Sequence, residues 1–393
     1  LPKLTIREID LSGKRVFLRA DLNAPLDQGV VSDDTRLTSV VPTLAHILAE
    51  GASVVLASHL GRPKGRPDPK YSLAPIAERL AALVGRPVPL APDCVGSETM
   101  SRAQALVPGE ILLLENLRFH PEEEANDDAF AKALASLADC YVNDAFAAAH
   151  RAHASTAAIT RYLQPAAAGL LMEAELRALG RILEAPARPM AAVLGGAKVS
   201  DKLMLVEHLL ARVDALLIGG GMAYTFLRAL GHDVGRSLLE PERIEVARHV
   251  LASGRRHGTQ IVLPVDAVVA EGVDSPSGRV ASIRAIPATQ MGLDIGPRTR
   301  ERFAEALKPA RTIVWNGPMG VFEKSPFAEG TLGMARAVAS SSAFSVIGGG
   351  DTVLAVRRAG VEAKIGYIST AGGAFLEFLE GRALPGVDAL TNS

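Results

Sequence analysis

The sequence predicts an α/β protein of two similar-sized domains with parallel sheets. Three observations predict it. Short apolar runs rich in β-branched residues recur along the chain, each followed by a stretch of helical periodicity. The runs are nearly continuously apolar, as strands buried on both faces must be. Glycine and polar clusters recur just past them, where open α/β sheets bind ligands. A chain of 393 residues, at roughly 150 residues per domain, has room for two or three cores.

The elements follow in order. RVFLRA (Arg15 to Ala20) reads as a strand, and DDTRLTSVVPTLAHILAEG as a helix with Asp33 or Asp34 near its cap and Gly51 as its stop. SVVLAS (Ser53 to Ser58) is the next strand. LAPIAERLAALVG is a helix opened by Ser72 and closed by Gly85. PVPL, EILLLEN and CYVNDAF continue the strand set, with Asp127 to Leu137 helical between the last two. A long helix is expected from Leu170 to Glu184, stopped by Pro186 and Pro189. A second series then begins. MAAVLGG, ALLIGGG, QIVLPVD, TIVWNGP, FSVIGGGD and GYIST are its strands. VSDKLMLVEHLLARV, MAYTFLRAL and Glu242 to Arg255 are among its helices, and Glu271 to Arg279 reads as a polar, glycine-rich excursion.

Composition removes several classes of function. There are 42 Lys+Arg against 43 Asp+Glu, a net charge of -1. Bulk attraction to nucleic acid or an anionic membrane is therefore not expected. Cys94 and Cys140 lie 46 positions apart, with neither disulfide-framework nor zinc spacing, which fits a reducing compartment. The longest uncharged apolar candidate, Ala215 to Leu227, has 13 residues, too few for a membrane span. The opening LPKLTIREID has no signal-peptide character, so a cytoplasmic location is expected.

The strand-end clusters differ between the halves. The first carries Asp21, Asn23, Arg36, His59, Arg62, Asn116, Arg118, Asn143, Asp144, His150, Arg151 and His153. A single arginine there is ordinarily a solvated surface charge. Four, each just past a strand or opening the next helix, make a pocket for a small polyanion. The second half carries GGAKVSDK (Gly195 to Lys202), GGGM (Gly219 to Met222), NGPMGVFE (Asn316 to Glu323), GGGDT (Gly348 to Thr352) and STAGGA (Ser369 to Ala374). Glycines entering helices expose N–H groups to phosphate. With Lys198, Lys202 and Asp351 beside them, they point to a nucleotide and its metal. No G-x-x-x-x-G-K-[ST] occurs, no G-x-G-x-x-G follows the first strand of either half, and neither HExxH nor G-x-S-x-G is present. A P-loop enzyme, a dinucleotide dehydrogenase, a zinc hydrolase and a serine hydrolase are all disfavoured.

The strings together resemble the phosphoglycerate kinase family over nearly the whole chain. They are RADLNAP (Arg19 to Pro25) with Arg36 fifteen residues after Asp21, SHLGRPKG (Ser58 to Gly65), LLENLRF (Leu113 to Phe119) and NDAF…HRAHAST (Asn143 to Thr156). The second half adds LGGAKVSDK, GGGMAYTFL, LPVD, LDIGP, WNGPMGVFE, IGGGDT and STAGGA. The resemblance implies two Rossmann-like three-layer αβα domains facing each other across a hinged cleft. It places triose phosphate on residues 1–170, joined by about 375–393. Residues 171–186 become an interdomain helix, and 187–374 the nucleotide domain.

The implied reaction is reversible phosphoryl transfer from 1,3-bisphosphoglycerate to MgADP, giving 3-phosphoglycerate and MgATP in glycolysis, by a monomer. The family's substrate residues match Asp21, Leu22, Asn23, Arg36, His59, Leu60, Gly61, Arg62, Arg118 and Arg151. Its nucleotide residues match Lys202, Gly219, Gly220, Asn316, Glu323, Gly349, Gly350, Asp351 and Thr352, with Asp351 meeting Mg2+. Arg36, Lys198, Gly372 and Gly373 are expected to stabilise the transferring group. Both acceptors are already ionised at pH 7, so no general base is needed and charge stabilisation carries the reaction. One position departs from the family pattern: Ala371 stands where the family usually has a glycine. If only its N–H matters, Ala371 has negative φ.

Overall fold

The computed structural model describes residues 2–393. They divide into two units, each around its own parallel sheet. The first comprises the residues up to Arg177 together with Ala383–Ser393. Its strands lie in the spatial order Ile111–Leu113, Ser53–Ala57, Arg15–Arg19, Cys140–Asn143, Ala166–Ala168. In chain order that is 3-2-1-4-5, so the winding reverses beside the first strand. Arg19 is paired with Ala57 on one side and Asn143 on the other. Val16, Leu18, Val54 and Leu56 pack against Leu37, Leu44, Ile76 and Leu80 of helices Thr35–Ala49 and Ala74–Val84.

The second unit, Ala178–Arg382, repeats the scheme with six strands. Their order is Gln260–Val262, Ala215–Ile218, Met190–Leu194, Thr312–Asn316, Phe344–Gly348, Tyr367–Ile368, again reversing beside the first strand of the series. Trp315 on its central strand is fully buried, in a cluster with Phe303, Met319 and Met334. The fold is α/β, of two αβα domains with parallel sheets.

Several elements differ from the sequence reading. The stretch around Glu271 to Arg279 is flanked by an antiparallel sheet, with Asp266–Ala270 between Arg279–Ser282 and Met291–Ile295. Its first strand follows LPVD so closely that it reads as a continuation of the preceding parallel strand. PVPL forms only a single bridge, Leu90 to Leu113. Ala166–Ala168 is an edge strand of three alanines and carries no β-branched signal. Helix Ser97–Gln104 buries only Thr99 and Ala103, so it shows no apolar stripe.

The C-terminal segment is woven into the first unit. Leu4 N–H donates to Thr391 O at 2.8 Å and Thr391 N–H to Ala166 O at 3.0 Å. The return to the first unit begins at Ala383, and the chain leaves that unit between Arg177 and Ala178, inside helix Leu170–Leu183. Helix Gly372–Leu379 stays with the second unit, where Phe375 packs on Gly348.

Asp144, just past strand Cys140–Asn143, fixes the start of helix Leu170–Leu183. Its carboxylate accepts from Leu171 N–H at 2.9 Å, Met172 N–H at 3.0 Å and Thr43 Oγ1–H at 2.5 Å. Burial pushes it up to about 6, against the lowering effect of those three bonds. The folded protein therefore holds this proton more firmly than the unfolded chain, where a carboxylate titrates near 4. Stability from Asp144 is fully present below about pH 4 and is lost as pH rises through about 6. Asp144→Asn is expected to flatten the stability–pH curve between about pH 4 and 6. Urea unfolding at half-unit steps checks this, and an unchanged slope in that window excludes it.

Candidate active site

In each unit the reversal of winding opens a crevice at the carboxyl end of the central strands. In the first unit that end is Arg19, Ala20 and Asp21 beside Asn143 and Asp144. Asp21 accepts from Arg36 Nη1 at 2.7 Å and from Asn23 N–H at 3.1 Å. Asn23 Oδ1 accepts from Gly61 N–H at 2.9 Å. Gly61 O in turn accepts from Arg118 Nη1 at 2.9 Å, and Arg118 N–H donates to Asn116 Oδ1 at 3.0 Å. One chain of hydrogen bonds thus joins Asp21, Asn23, Gly61, Asn116 and Arg118 from three strand ends with Arg36 from the start of helix Thr35–Ala49. Asn116 also donates to Leu60 O at 2.8 Å and Tyr71 O at 2.9 Å, which holds the HLGRP loop in place.

Leu22 and Leu60 are buried, and Leu22 N–H is taken by Ser58 Oγ at 2.9 Å. Their side chains pack the loops and present no surface. Arg62 and Arg151 are exposed. Arg151 lies near enough to Arg118 to lower its pKa, after the larger effect of burial and an opposing one from Glu124.

Beneath this layer sits a group that the sequence reading did not single out. Arg19 is completely buried on the central strand. Its Nε donates to Ser155 Oγ at 2.8 Å, and Glu123, also fully buried, lies 4.0 Å from its Nη2. Glu123 accepts from Ser155 N–H at 2.9 Å and Ser155 Oγ–H at 2.6 Å. Burial raises the Glu123 carboxyl, and Arg19 and these bonds oppose that rise. Arg19 Nη2 also lies 3.2 Å from His59 Nδ1. An arginine can only donate, so His59 Nδ1 is the acceptor and Nε2 carries the hydrogen. Burial, then Arg19, Arg118 and Arg36, push His59 well below its ordinary value, so it is neutral near pH 7. His153 is lowered to about 3, again by burial first and then by the arginines. The signal for Arg19 was in the string: an arginine inside an otherwise apolar strand is buried and must be compensated.

In the second unit three glycine loops pack backbone to backbone. Gly196 N–H donates to Pro318 O at 2.9 Å, Gly219 N–H to Leu194 O at 2.9 Å and Gly220 N–H to Met319 O at 3.1 Å. A Cβ on Gly220 would lie 2.6 Å from the Gly196 backbone, and Gly220 has φ +67. These three N–H groups are therefore spent inside the protein and do not face solvent.

The helix starts are different. Gly350 opens helix Gly350–Arg358, and Gly372 opens helix Gly372–Leu379. Both are exposed, and a Cβ on either would meet nothing within 4 Å. The unsatisfied N–H groups of a first helical turn attract anions. Ala371 precedes the second start with φ -100, fully buried, its own N–H donating to Ser369 Oγ at 3.2 Å. The alanine introduces no strain there.

Lys202 Nζ donates to Asn316 Oδ1 and, at 3.3 Å, to Asn316 O. Burial pulls Lys202 down to about 8, opposed by the charges of Asp201 and Asp351. Asn316 Nδ2 donates to Gly348 O at 2.7 Å, and Thr352 Oγ1 accepts from Gly317 N–H at 2.7 Å. Lys202, Asn316, Gly349 and Thr352 thus share one end of the sheet. Lys198, Glu323 and Asp351 are exposed. Leu238, half exposed, is a residue the motif reading missed: it lies over the Gly221 turn, where a Cβ would come within 2.9 Å of its Cδ1. An apolar side chain left in the open above a glycine loop is visible only once the chain is folded.

A basic pocket on one α/β sheet and phosphate-ready helix starts on another define an α/β phosphotransferase acting on small phosphorylated substrates. The phosphoglycerate kinase family profile matches residues 6–382. The chain is 54% identical over 402 residues to the phosphoglycerate kinase of Koribacter versatilis, covering 100% of both chains. It is 56% identical over 388 residues to that of Desulfosudis oleivorans, covering 98% of each. The solved phosphoglycerate kinase of Coxiella burnetii superposes with a TM-score of 0.92 at 42% identity, covering 99% of both chains. The enzyme from Pyrococcus horikoshii gives 0.85 at 35%, covering 98% of both. The chain belongs to the phosphoglycerate kinase family. It is a glycolytic kinase that transfers phosphate between 1,3-bisphosphoglycerate and ADP. No described helix is long and apolar enough to cross a membrane.

The buried Arg19–Glu123 arrangement generates a stability prediction. Removing one member leaves the other charge buried and uncompensated, which costs about 3–5 kcal/mol. Glu123→Ala is expected to lose roughly that much, read from denaturant unfolding followed in the N-terminal unit. A loss under about 1 kcal/mol would show that water reaches Arg19.

Proposed function

We propose that triose phosphate binds the first unit and nucleotide the second, and that transfer proceeds in line without a general base. The observation that carries the proposal is the hydrogen-bonded cluster of Asp21, Asn23, Arg36, Gly61 and Arg118 at the sheet reversal. Asp21 and Asn23 orient the hydroxyl and carboxylate ends of the glycerate. Arg62, Arg118 and Arg151 take the phosphate that is not transferred. His59 donates a neutral Nε2–H, which adds a hydrogen bond to the substrate without repelling the guanidinium groups around it.

On the second unit, Lys202, Asn316 and the start of helix Gly350–Arg358 receive the nucleotide phosphates. Gly219 and Gly220 form the packed floor, Leu238 offers an apolar wall to the base, and Glu323 contributes a polar contact. Asp351, exposed in the first turn of that helix, suits a hard cation such as Mg2+. Mg2+ brought by the nucleotide would be held there and would neutralise phosphate charge. Arg36, Lys198 and the N–H groups of Gly372 and Gly373 stabilise the phosphoryl group in transit. Two free buried cysteines support a reducing cytoplasmic setting, and we propose that the enzyme acts there as a monomer.

In the free protein Arg36 is held by Asp21, so the ligand must draw it away or share it. Removing one preorganised donor typically costs about 10²–10³ in kcat. Arg36→Ala is expected to lower kcat at least about 100-fold with little change in KM for MgATP. A coupled assay of ATP-dependent 1,3-bisphosphoglycerate formation measures both. A variant keeping half of wild-type kcat removes Arg36 from the transfer step.

Because donor and acceptor bind different units, we propose that transfer requires closure, which also keeps water from the acyl phosphate. Helix Leu170–Leu183, the following residues through Pro189, and residues 371–374 are the proposed hinges. Small-angle scattering of the free, singly and doubly liganded protein tests this. Both ligands together are expected to reduce the radius of gyration clearly, and either alone partly or not at all. Identical curves in all four states exclude closure.

A further inference from the structure

The C-terminal unit contains a cavity of about 600 Å3 that none of the proposed nucleotide residues lines. It lies past the end of the edge strand Gln260–Val262, where Leu263, Pro264 and Val265 leave the sheet. That strand is two places from Met190–Leu194, so the cavity is displaced by about 10 Å of sheet from the crevice at the winding reversal.

The cavity is lined by Arg255, Arg284, Arg298, Arg302 and His232, and by no aspartate or glutamate. All four arginines are exposed, and among the described residues none has a side-chain hydrogen bond or salt bridge. This is unlike much of the surface. Arg79 pairs with Asp34 and Arg102 with Glu98. Arg300, on the same helix as Arg298 and Arg302, pairs with Glu329. Two acidic residues that adjoin the lining in sequence are already engaged, and Glu301, beside Arg302 on the same helix, is exposed and does not line the cavity. Asp266 is buried and accepts from Arg298 N–H at 3.1 Å, Thr299 N–H at 2.8 Å and Thr299 Oγ1–H at 2.6 Å. Asp233 pairs with Arg228.

Like charges gathered without a counter-charge repel one another, and a bound anion relieves the repulsion. Four guanidinium groups exceed what one carboxylate needs, and their planar forks suit phosphate oxygens. The rest of the wall is apolar. Leu227, Leu263 and Ile283 are buried with a face on the cavity, and Leu251 and Ile261 join them. The volume falls in the range of about 300–1,000 Å3 usual for small-ligand sites.

We propose that this cavity is a second binding site, for a small organic phosphate with an apolar or aromatic body. The phosphate meets the arginines, and the body lies on the leucine side.

The test uses the full chain with 3-phosphoglycerate and MgADP at concentrations that fill the catalytic sites. 1-Naphthyl phosphate is then titrated by its fluorescence. One additional site is expected. Arg255→Ala and Arg298→Ala are each expected to weaken it about tenfold, the scale of one charge-assisted hydrogen bond. Inorganic phosphate, lacking the body, is expected to compete at least about tenfold more weakly. Circular dichroism and kcat without the probe are expected to stay at wild-type values, since both arginines are exposed and outside the catalytic set. Absence of an additional site overturns the proposal, as does binding unchanged in both variants. Equal competition by inorganic phosphate overturns the apolar half of it.

Discussion

Each sheet reverses its winding beside its first strand, and the rest of the molecule depends on that constraint. A right-handed crossover sends successive helices to one face, and the reversal sends later ones to the other. Between them a gap opens at the carboxyl ends of two adjacent central strands. In the first unit it lies between Arg19 and Asn143, and in the second between Leu194 and Asn316. Residues distant in sequence must meet there. Asp21 lies past one strand, His59 past another and Arg118 past a third, so one sheet end collects them without long loops.

The two gaps solve different problems with different materials. In the first unit the floor is ionic. Arg19 sits under His59 and is itself supported by Ser155 and Glu123. A buried charge is weak evidence for stability, because desolvation consumes most of its attraction. Its use here is orientation: Arg19 fixes which nitrogen of His59 bears hydrogen. In the second unit the floor is backbone. Glycines at 195, 196, 219, 220 and 317 let three loops approach closer than any side chain allows. The nearby helix starts at Gly350 and Gly372, by contrast, are open to solvent.

The fold was legible because its signal is local. Buried parallel strands are continuous apolar runs, and LAPIAERLAALVG carries its Gly85 stop, although its cap is Leu73 and not the expected Ser72. The antiparallel sheet at Asp266–Ile295 was not legible, because its strands are short and partly solvent-facing. The alanine strand Ala166–Ala168 takes its conformation from its neighbours rather than its residues. In the site, the type of each residue was readable, but its employment was not. Glycine clusters look alike whether they cradle phosphate or pack against one another. Gly220 and Gly350 are told apart only by what a Cβ would strike. Lys202 reads as a phosphate ligand, yet in the free protein its ammonium group rests on Asn316.

A near-neutral chain can still hold polyanions, because the charge is placed rather than accumulated. Net charge is -1, so no long-range field draws the substrate in. In the proposed binding mode, attraction comes from guanidinium groups set at strand ends and from helix starts, both acting over a few ångströms. Crowding cations in this way has a cost, since each raises the energy of its neighbours. Arg118 and His59 both have lowered pKa values, through burial first and neighbouring cations second. The histidines respond by losing their protons, and the arginines, which cannot, are steadied by Asp21 and Glu124. In the binding mode proposed above, an incoming phosphate must outcompete the carboxylates that hold these arginines in the free protein. That exchange of one anion for another keeps the arginines ordered before and after binding. In that proposed mode the site responds to the number of charges on the ligand, which separates a phosphorylated substrate from other small acids.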